Sequence, residues 1–457
     1  MNDIADLLHD IERWCRRSGT AESTFGRLAV NDGKLVSRLR GGKGVTVRTL
    51  HRVREFMRAH AGDPAADEAP RVLPAAPLLA ADAPTSGAFR FFANRQRYLA
   101  FVNACNEKQR IARRAGHELQ YLRPAPPALR LFDAGMGDAT VLSLLLRDLH
   151  RRFSNVPLLV VAKELSPDDL ALALSKMPDR FLEHPATVLV VTNLNYTEAP
   201  RLMPRDLQSA AALNWHEVRL TGNSAHEYAE QMEGLEPVIQ AGWRTHVGAG
   251  SGNPVYVRPS VLVIYRDDQR FLLAPIVPQP GRAEGRYDFI LASQPWRSRA
   301  PASTRARNIL APLTRSLAPG GRLLGIQSYG EDAGLELVRA VWPDEAPFPV
   351  RRHDLLAALK EELGRDARDY NLSALADAKS IFRFEMHSLP AGFIAQAGMS
   401  TLFSAWNAAI YVNQIDDDRL NEAVASGAFL AATRETLQRH QGLWFNDESF
   451  VISHHRP

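Results

Sequence analysis

The segment Leu131-Phe132-Asp133-Ala134-Gly135-Met136-Gly137-Asp138-Ala139-Thr140 constrains the fold of this chain more than any other. A short apolar run delivers an acid and two glycines straight into a helical pattern, ATVLSLLLRDLHRRF. Glycine is needed where a backbone turns tightly and lies against a ligand with no Cβ between them. Strand, glycine turn and helix in that order mark the start of a parallel α/β sheet. Two kinds of cofactor use such a turn. Dinucleotide binders space their glycines G-x-G-x-x-G and seat a pyrophosphate on the helix N-terminus. Here Thr140 stands at the third glycine position, and an acid, Asp133, precedes the first. A carboxylate in that place suits a cationic amino group better than a pyrophosphate.

Strand-like runs recur at LLVVAKE, TVLVVTNLN, YDFILASQ and GRLLGIQSY, with helical patterns between most of them. That alternation predicts a parallel sheet covered by helices on both faces. It is interrupted once, by residues 197–286, which carry their own helix, AHEYAEQMEGLEPVI, and a hairpin, PVYVRPSVLVIYRDDQRFLLAPIV. A structured insertion of this length at a strand end is expected to form a substrate-binding or lid subdomain. Beyond residue 330 more helix leads to two late strands, FRFEMHSL and LWFNDESFVISHH.

The glycine turn resembles motif I of class I S-adenosylmethionine-dependent methyltransferases, [DE]-x-G-x-G-x-G, with Ala139 in place of the last glycine. The second strand, LLVVAKEL, ends at Glu164, and by this resemblance Glu164 is the acid that accepts the ribose hydroxyls of the adenosine. The third strand ends at Asn193-Leu194-Asn195, where the family places adenine contacts, and the fourth ends at Ser293. The order of features holds over residues 90–330. The resemblance implies a Rossmann-like fold with a seven-stranded, mostly parallel sheet, and S-adenosyl-L-methionine as cofactor. It implies cofactor contacts from Asp133, Gly135, Gly137, Glu164, Asn193 and Ser293, and methyl transfer to an O, N or C nucleophile of a small-molecule acceptor.

Methyl transfer from a sulfonium is an in-line displacement in which the protein mainly aligns the partners and excludes water. A general base is needed only when the nucleophile is protonated. The cofactor site is therefore written more plainly than any catalytic residue, for which His216, His226 and Trp296 are the candidates. Ser293-Gln294-Pro295-Trp296 stands where aminomethyltransferases carry [DNS]-P-P-[YFW], with Gln294 replacing the first proline. That partial match opens a second reading, a DNA-modifying aminomethyltransferase. His226 begins HEYAE, which lacks the second histidine of a zinc-protease helix, so no metal is expected. Two distant cysteines, Cys15 and Cys105, provide neither a zinc nor an iron–sulfur site, which excludes radical chemistry on the same cofactor.

The net charge of +4 is unevenly spread. Residues 1–60 hold 12 basic and 7 acidic side chains, a net of +5, which leaves −1 for the other 397 residues. A basic small module points to a polyanion. Residues 61–88 contain ten alanines and five prolines and read as an extended linker. The expected domains are a head, 1–62, a linker, 63–88, and a body, 89–457. Within the head, ESTFGRLAVNDGKLVSRLRG (22–41) predicts a helix-turn-helix, with Gly26 at the helix crossing and Val36 and Leu39 anchoring the second helix. The run VSRLRGGK resembles lambda-repressor-like domains, and the resemblance implies DNA contact through Lys34, Ser37, Arg38, Arg40 and Lys43. A head this small reads few bases, so specific binding calls for a homodimer on two half-sites. This opens a third reading, a transcriptional regulator whose body senses the cofactor. The first residues lack the basic start and apolar middle of a signal peptide, and no run reaches the roughly eighteen apolar residues of a membrane span. A cytoplasmic protein with no membrane partner is expected.

Overall fold

The computed structural model describes residues 3–18, 20–30, 32–41, 95–247, 254–388 and 398–456, with isolated positions between 49 and 57. Lys43, most of the helical pattern VRTLHRVREFM (47–57) that follows it and the 63–88 linker lie outside the described residues. The chain divides into two compact units, Met1–Ala80 and Ala81–Pro457.

Among the described residues, the first unit packs the helices Asp3–Ser18, Glu22–Val30 and Leu35–Arg40. Leu7, Ile11, Phe25, Leu35, Val36 and Leu39 are buried together in its core. Trp14 tilts against Phe25 with ring centroids 5.2 Å apart. Gly26 sits where the chain turns back, and a Cβ there would stand 2.3 Å from the Asp32 carbonyl oxygen. Only glycine permits that approach.

The second unit is built on strands β1 (Leu129–Asp133), β2 (Leu158–Lys163), β3 (Thr187–Thr192), β4 (Asn214–Leu220), β5 (Thr245–Val247), β6 (Pro254–Tyr256), β7 (Ser260–Arg266), β8 (Tyr287–Ser293), β9 (Leu317–Ser328), β10 (Tyr370–Ser373), β11 (Ile381–Glu385) and β12 (Trp444–His454). One ten-stranded sheet runs β10-β12-β9-β8-β1-β2-β3-β7-β4, with β11 also paired to β12. Its centre, β9-β8-β1-β2-β3, is parallel throughout. The chain moves outward from β1 through β2 to β3, then returns to the other side of β1 at β8. That reversal places a topological switch point between β1 and β8, where ligands of doubly wound sheets bind. The fold is thus the expected Rossmann-like α/β arrangement, with helices on both faces.

Period-two alternation explains the two layers. Leu129, Leu131, Phe289 and Leu291 face one core, while Phe132, Ala134, Ile290 and Ala292 face the other. The crossover helix Thr140–Arg152 buries Val141, Leu142, Leu145, Leu146 and Leu149, one stripe of a 3.6-residue period. The next helix, Pro167–Ser175, starts on a Ser166 side-chain cap with proline at its first position.

Among the described residues the sheet has ten strands where seven were expected, and part of the surplus comes from the insertion. Strand β7 pairs antiparallel with β3, and β4 pairs parallel with β7, so residues 197–286 lengthen the sheet at its β3 edge. The expected hairpin is also corrected. β6 pairs with β5, and the QRFLLAPIV segment contributes the short helix Arg270–Leu273. Every residue of β7 is buried, and a strand apolar on both faces belongs inside a sheet rather than in a two-stranded ribbon. Among the described residues no helix is long and apolar enough to cross a membrane.

Candidate active site

The C-terminal ends of β1, β2, β3 and β8 converge on the glycine turn. Asp133 closes β1 at 2% exposure, and its Oδ1 accepts the Gly135 amide at 3.2 Å. Gly137 turns with φ +54, and its amide donates to Glu164 Oε2 at 2.6 Å. The other oxygen of Glu164 accepts the amides of Leu165 and Ser166, each at 2.7 Å. Ala139 holds φ 57 at the position of the family's last glycine, so the left-handed turn survives without that residue. A Cβ added at Gly135 would meet nothing within 4 Å. The turn therefore presents an open cradle with a buried carboxylate on each side.

Burial dominates the electrostatics of both acids. Desolvation pushes Asp133 up to about 6, against the Gly135 amide and the Lys108 charge. It pushes Glu164 up to about 7, against the Ser166, Leu165 and Gly137 amides and with the help of Asp169. Among the described residues neither acid forms an ion pair. Asp138 is different: despite burial it lies below the usual carboxylate range, held down by Lys176 at 2.5 Å and by Thr140. Lys163 is the buried base of the site. Desolvation lowers it to about 8, and its Nζ donates to the Leu194 carbonyl at 2.6 Å beneath the Tyr196 ring. Tyr196 Oη donates to the Ala134 carbonyl at 2.8 Å, which ties the loop after β3 to the end of β1.

Several residues here carried no local sequence signal. Tyr98 comes from the helix Arg95–Ala104, and its hydroxyl would stand 3.1 Å from a Cβ at Gly137. Trp243 and Tyr256 come from the insertion and donate to the carbonyls of Glu164 (2.8 Å) and Leu165 (2.6 Å). The insertion thus clasps the tip of β2. Asn193 holds it in place: its amide donates to the carbonyls of Gly242 (3.1 Å) and Arg258 (3.3 Å) and accepts from the Ser260 amide (2.8 Å). At 4% exposure the side chain expected to contact the cofactor is held by these three partners.

At the end of β8, Ser293 is half-buried and Gln294 adopts φ 49. Gln294 Nε2 donates to Glu107 Oε1 at 3.1 Å and Asp447 Oδ1 at 3.3 Å. The other oxygen of Asp447 is buried without a hydrogen-bond partner among the described residues, and burial followed by the Glu107 charge pushes this acid well above the usual carboxylate range. Trp296 is 7% exposed and lies 5.8 Å beneath the Arg305 guanidinium. Gln294, Trp296, Ser298, Gln327 and Ser328 surround a cavity of about 10 Å3, room for one water. The Trp296 indole, proposed from sequence as a catalytic candidate, is thus buried with one face turned to the Arg305 guanidinium.

The two histidine candidates are not in this site. His226 is solvated on the helix Ala225–Glu233, 82% exposed and 3.5 Å from Glu230. His216 lies on β4, the edge strand, four strand spacings or roughly 19 Å from β1. In the head, Lys34, Ser37, Arg38 and Arg40 are exposed as expected. Arg40, however, is drawn onto Glu12 (2.7 Å) and Glu22 (2.5 Å), and Arg38 onto Asp32 (2.7 Å). Ser37 Oγ donates to the Lys34 carbonyl at 3.2 Å.

No family model matches the chain, and a search of curated proteins gives no match. Solved structures with a similar fold include a protein assigned as a sarcosine dimethylglycine methyltransferase from Galdieria sulphuraria, 9% identical over 76% of this chain and 84% of that one, with a TM-score of 0.30. A geranyl diphosphate methyltransferase in complex with S-adenosylmethionine is 12% identical over 75% of this chain and 84% of that one, TM-score 0.27. The rRNA methyltransferase aviRa from Streptomyces viridochromogenes is 19% identical over 53% of this chain and 76% of that one, TM-score 0.18. At these values function is read from the chain's own residues.

Proposed function

We propose that the body is an S-adenosylmethionine-dependent methyltransferase acting on an O, N or C nucleophile of a small molecule. One observation carries this reading: two buried carboxylates, Asp133 and Glu164, flank an open glycine cradle and form no direct ion pair among the described residues. Buried charge without a partner is costly, so such acids fit a ligand that brings a cation and hydroxyl donors. The methionine ammonium suits Asp133, and the ribose diol suits Glu164. A pyrophosphate would face both carboxylates and be repelled.

When bound, the cofactor supplies an electrophilic sulfonium methyl. The chain's residues do the rest. Gly135 and Gly137 admit close approach of the ligand, Tyr98 closes over the turn, and Trp243 and Tyr256 steady the loop that carries Glu164. Exclusion of water and alignment are the main catalytic work, and the acceptor proton is lost after its lone pair takes the methyl group. Incubation of host extracts with the protein and methyl-labelled cofactor, read by mass spectrometry, tests the reading by showing which species gains the label.

The basic balance of residues 1–60, 12 basic against 7 acidic side chains, favours a second reading, in which the body senses the cofactor and the head acts on DNA through Lys34 and its neighbours as a dimer. Cofactor binding with no labelled product, together with a two-half-site footprint, distinguishes it.

A further inference from the structure

A groove of about 610 Å3 opens among the segment after β3, the residues entering β8 and the helical stretch that leads to β9. Arg201, Arg205, Arg286, Arg307 and Arg315 line it, against Glu284 and Glu362. Residues beyond the first sixty carry a net charge of only −1, so this concentration departs sharply from the rest of the body.

The acids neutralise only part of it. Glu284 is turned to Arg130 at 3.7 Å, and Glu362 holds Arg307 at 3.3 Å. Arg315 reaches Asp366 at 3.3 Å. Among the described residues, Arg201, Arg205 and Arg286 form no ion pair. The backbone beside one of them, Arg201, is strained. Leu202 is held at φ 53, a left-handed conformation that side chains other than glycine rarely adopt, and such strain gathers at ligand clamps. Opposite it, Gly285 turns at φ +66, and a Cβ there would stand 2.6 Å from Arg201 Cγ. Glycine at 285 is what lets the Arg201 stem lie across the groove.

The groove is separate from the glycine turn. Arg286 precedes Tyr287, at the start of β8, whereas Ser293 ends that strand near the proposed methyl-transfer site. Six residue rises along the strand amount to roughly 20 Å. The volume suits a small ligand rather than a duplex. Guanidinium groups pair in two-point fashion with phosphate oxygens, and several converging arginines favour linked phosphates over a single one.

We propose that this groove binds a compact oligophosphate, two or more linked phosphate groups, at a site distinct from methyl transfer. The test is calorimetry on the full chain with inorganic triphosphate, with ATP and a twelve-nucleotide single-stranded RNA as further arms. Triphosphate binds the wild type, and the Arg201→Ala/Arg286→Ala double variant binds it at least tenfold more weakly, with unchanged melting temperature and unchanged S-adenosylmethionine affinity. Gly285→Ala, which leaves every charge in place, weakens it as well by displacing Arg201. ATP binding at least as tight as triphosphate assigns a nucleotide source, and weaker ATP binding assigns a free oligophosphate. Absence of triphosphate binding, binding that survives the double substitution, or binding of RNA alone overturns the proposal. None of these readings needs a methyl acceptor, so failure of the methyltransferase assignment is scored separately.

Discussion

Gly135→Ala separates folding from cofactor binding. At this position an added Cβ meets no atom within 4 Å, and Gly135 is not among the positive-φ glycines. The substitution therefore leaves the ligand-free fold intact, and by restricting the unfolded chain it stabilises by about 0.4–1 kcal/mol. The same methyl group stands in the open cradle between Asp133 and Glu164, where the ligand must approach the backbone. Displacing the ligand there is expected to weaken S-adenosylmethionine binding at least tenfold, about 1.4 kcal/mol. Gly137→Ala behaves differently, because φ is +54 and the Tyr98 hydroxyl stands 3.1 Å from the new Cβ. It loses about 1–2 kcal/mol of stability from the left-handed backbone alone. Urea melts of the ligand-free proteins paired with calorimetry measure both effects. Wild-type affinity in Gly135→Ala, or a loss of stability equal to that of Gly137→Ala, refutes the placement of the ligand in the cradle.

Glu164→Ala weakens cofactor binding by about 1–3 kcal/mol through loss of charge-assisted hydrogen bonds, measurable by the same calorimetry, and an unchanged affinity removes Glu164 from the site. Binding also releases protons, because Asp133 and Glu164 sit at about 6 and about 7 and a cationic, hydroxyl-bearing ligand favours their ionised forms. Near pH 6.5 the two together carry roughly one proton to release, so affinity rises with pH until about 8, and calorimetry in buffers of different ionisation heat detects the transfer. For the ligand-free body the sign is opposite: a raised carboxyl pKa carries no penalty below its unfolded value and the full penalty above its folded one. Stability accordingly falls between about pH 4 and pH 7, and a flat profile contradicts the burial argument. On the proposal that the head binds DNA, Lys34→Ala is expected to lower the log–log salt slope of that binding by about 0.9, whereas Arg40→Ala, already committed to Glu12 and Glu22, leaves the slope unchanged, and a head that binds no DNA removes the second reading.

Features that depend on neighbouring residues were legible in the sequence. The turn from Asp133 through Gly137 is set by local backbone demands, and the crossover helix by its own apolar stripe, so both are found where the pattern puts them. Gly26 was legible for the same reason. Distant pairing was not. Asn193 looks like a strand-end polar residue until Gly242, Arg258 and Ser260 come into contact with it from as far as 67 residues away. Strand β7 reads as half of a hairpin because an apolar run does not state its partner, and only the free edge of β3 decides the matter. Tyr98, Trp243 and Tyr256 had no motif around them. The nearest signal is composition: aromatic residues with a polar handle, in a helix preceding the turn and in an insertion following it. His216 and His226 lie in the insertion, and residue type there says nothing about which end of a sheet a side chain occupies.

The most direct test of the central claim is titration calorimetry of the full chain with S-adenosylmethionine, its demethylated product and NAD, side by side. Micromolar binding of the first two, about −8 kcal/mol, with no NAD binding at the same concentrations, is the predicted result. Tight NAD binding with none of the sulfonium would contradict it, because the acids flanking the glycine turn would then be tolerating a pyrophosphate rather than receiving a cation.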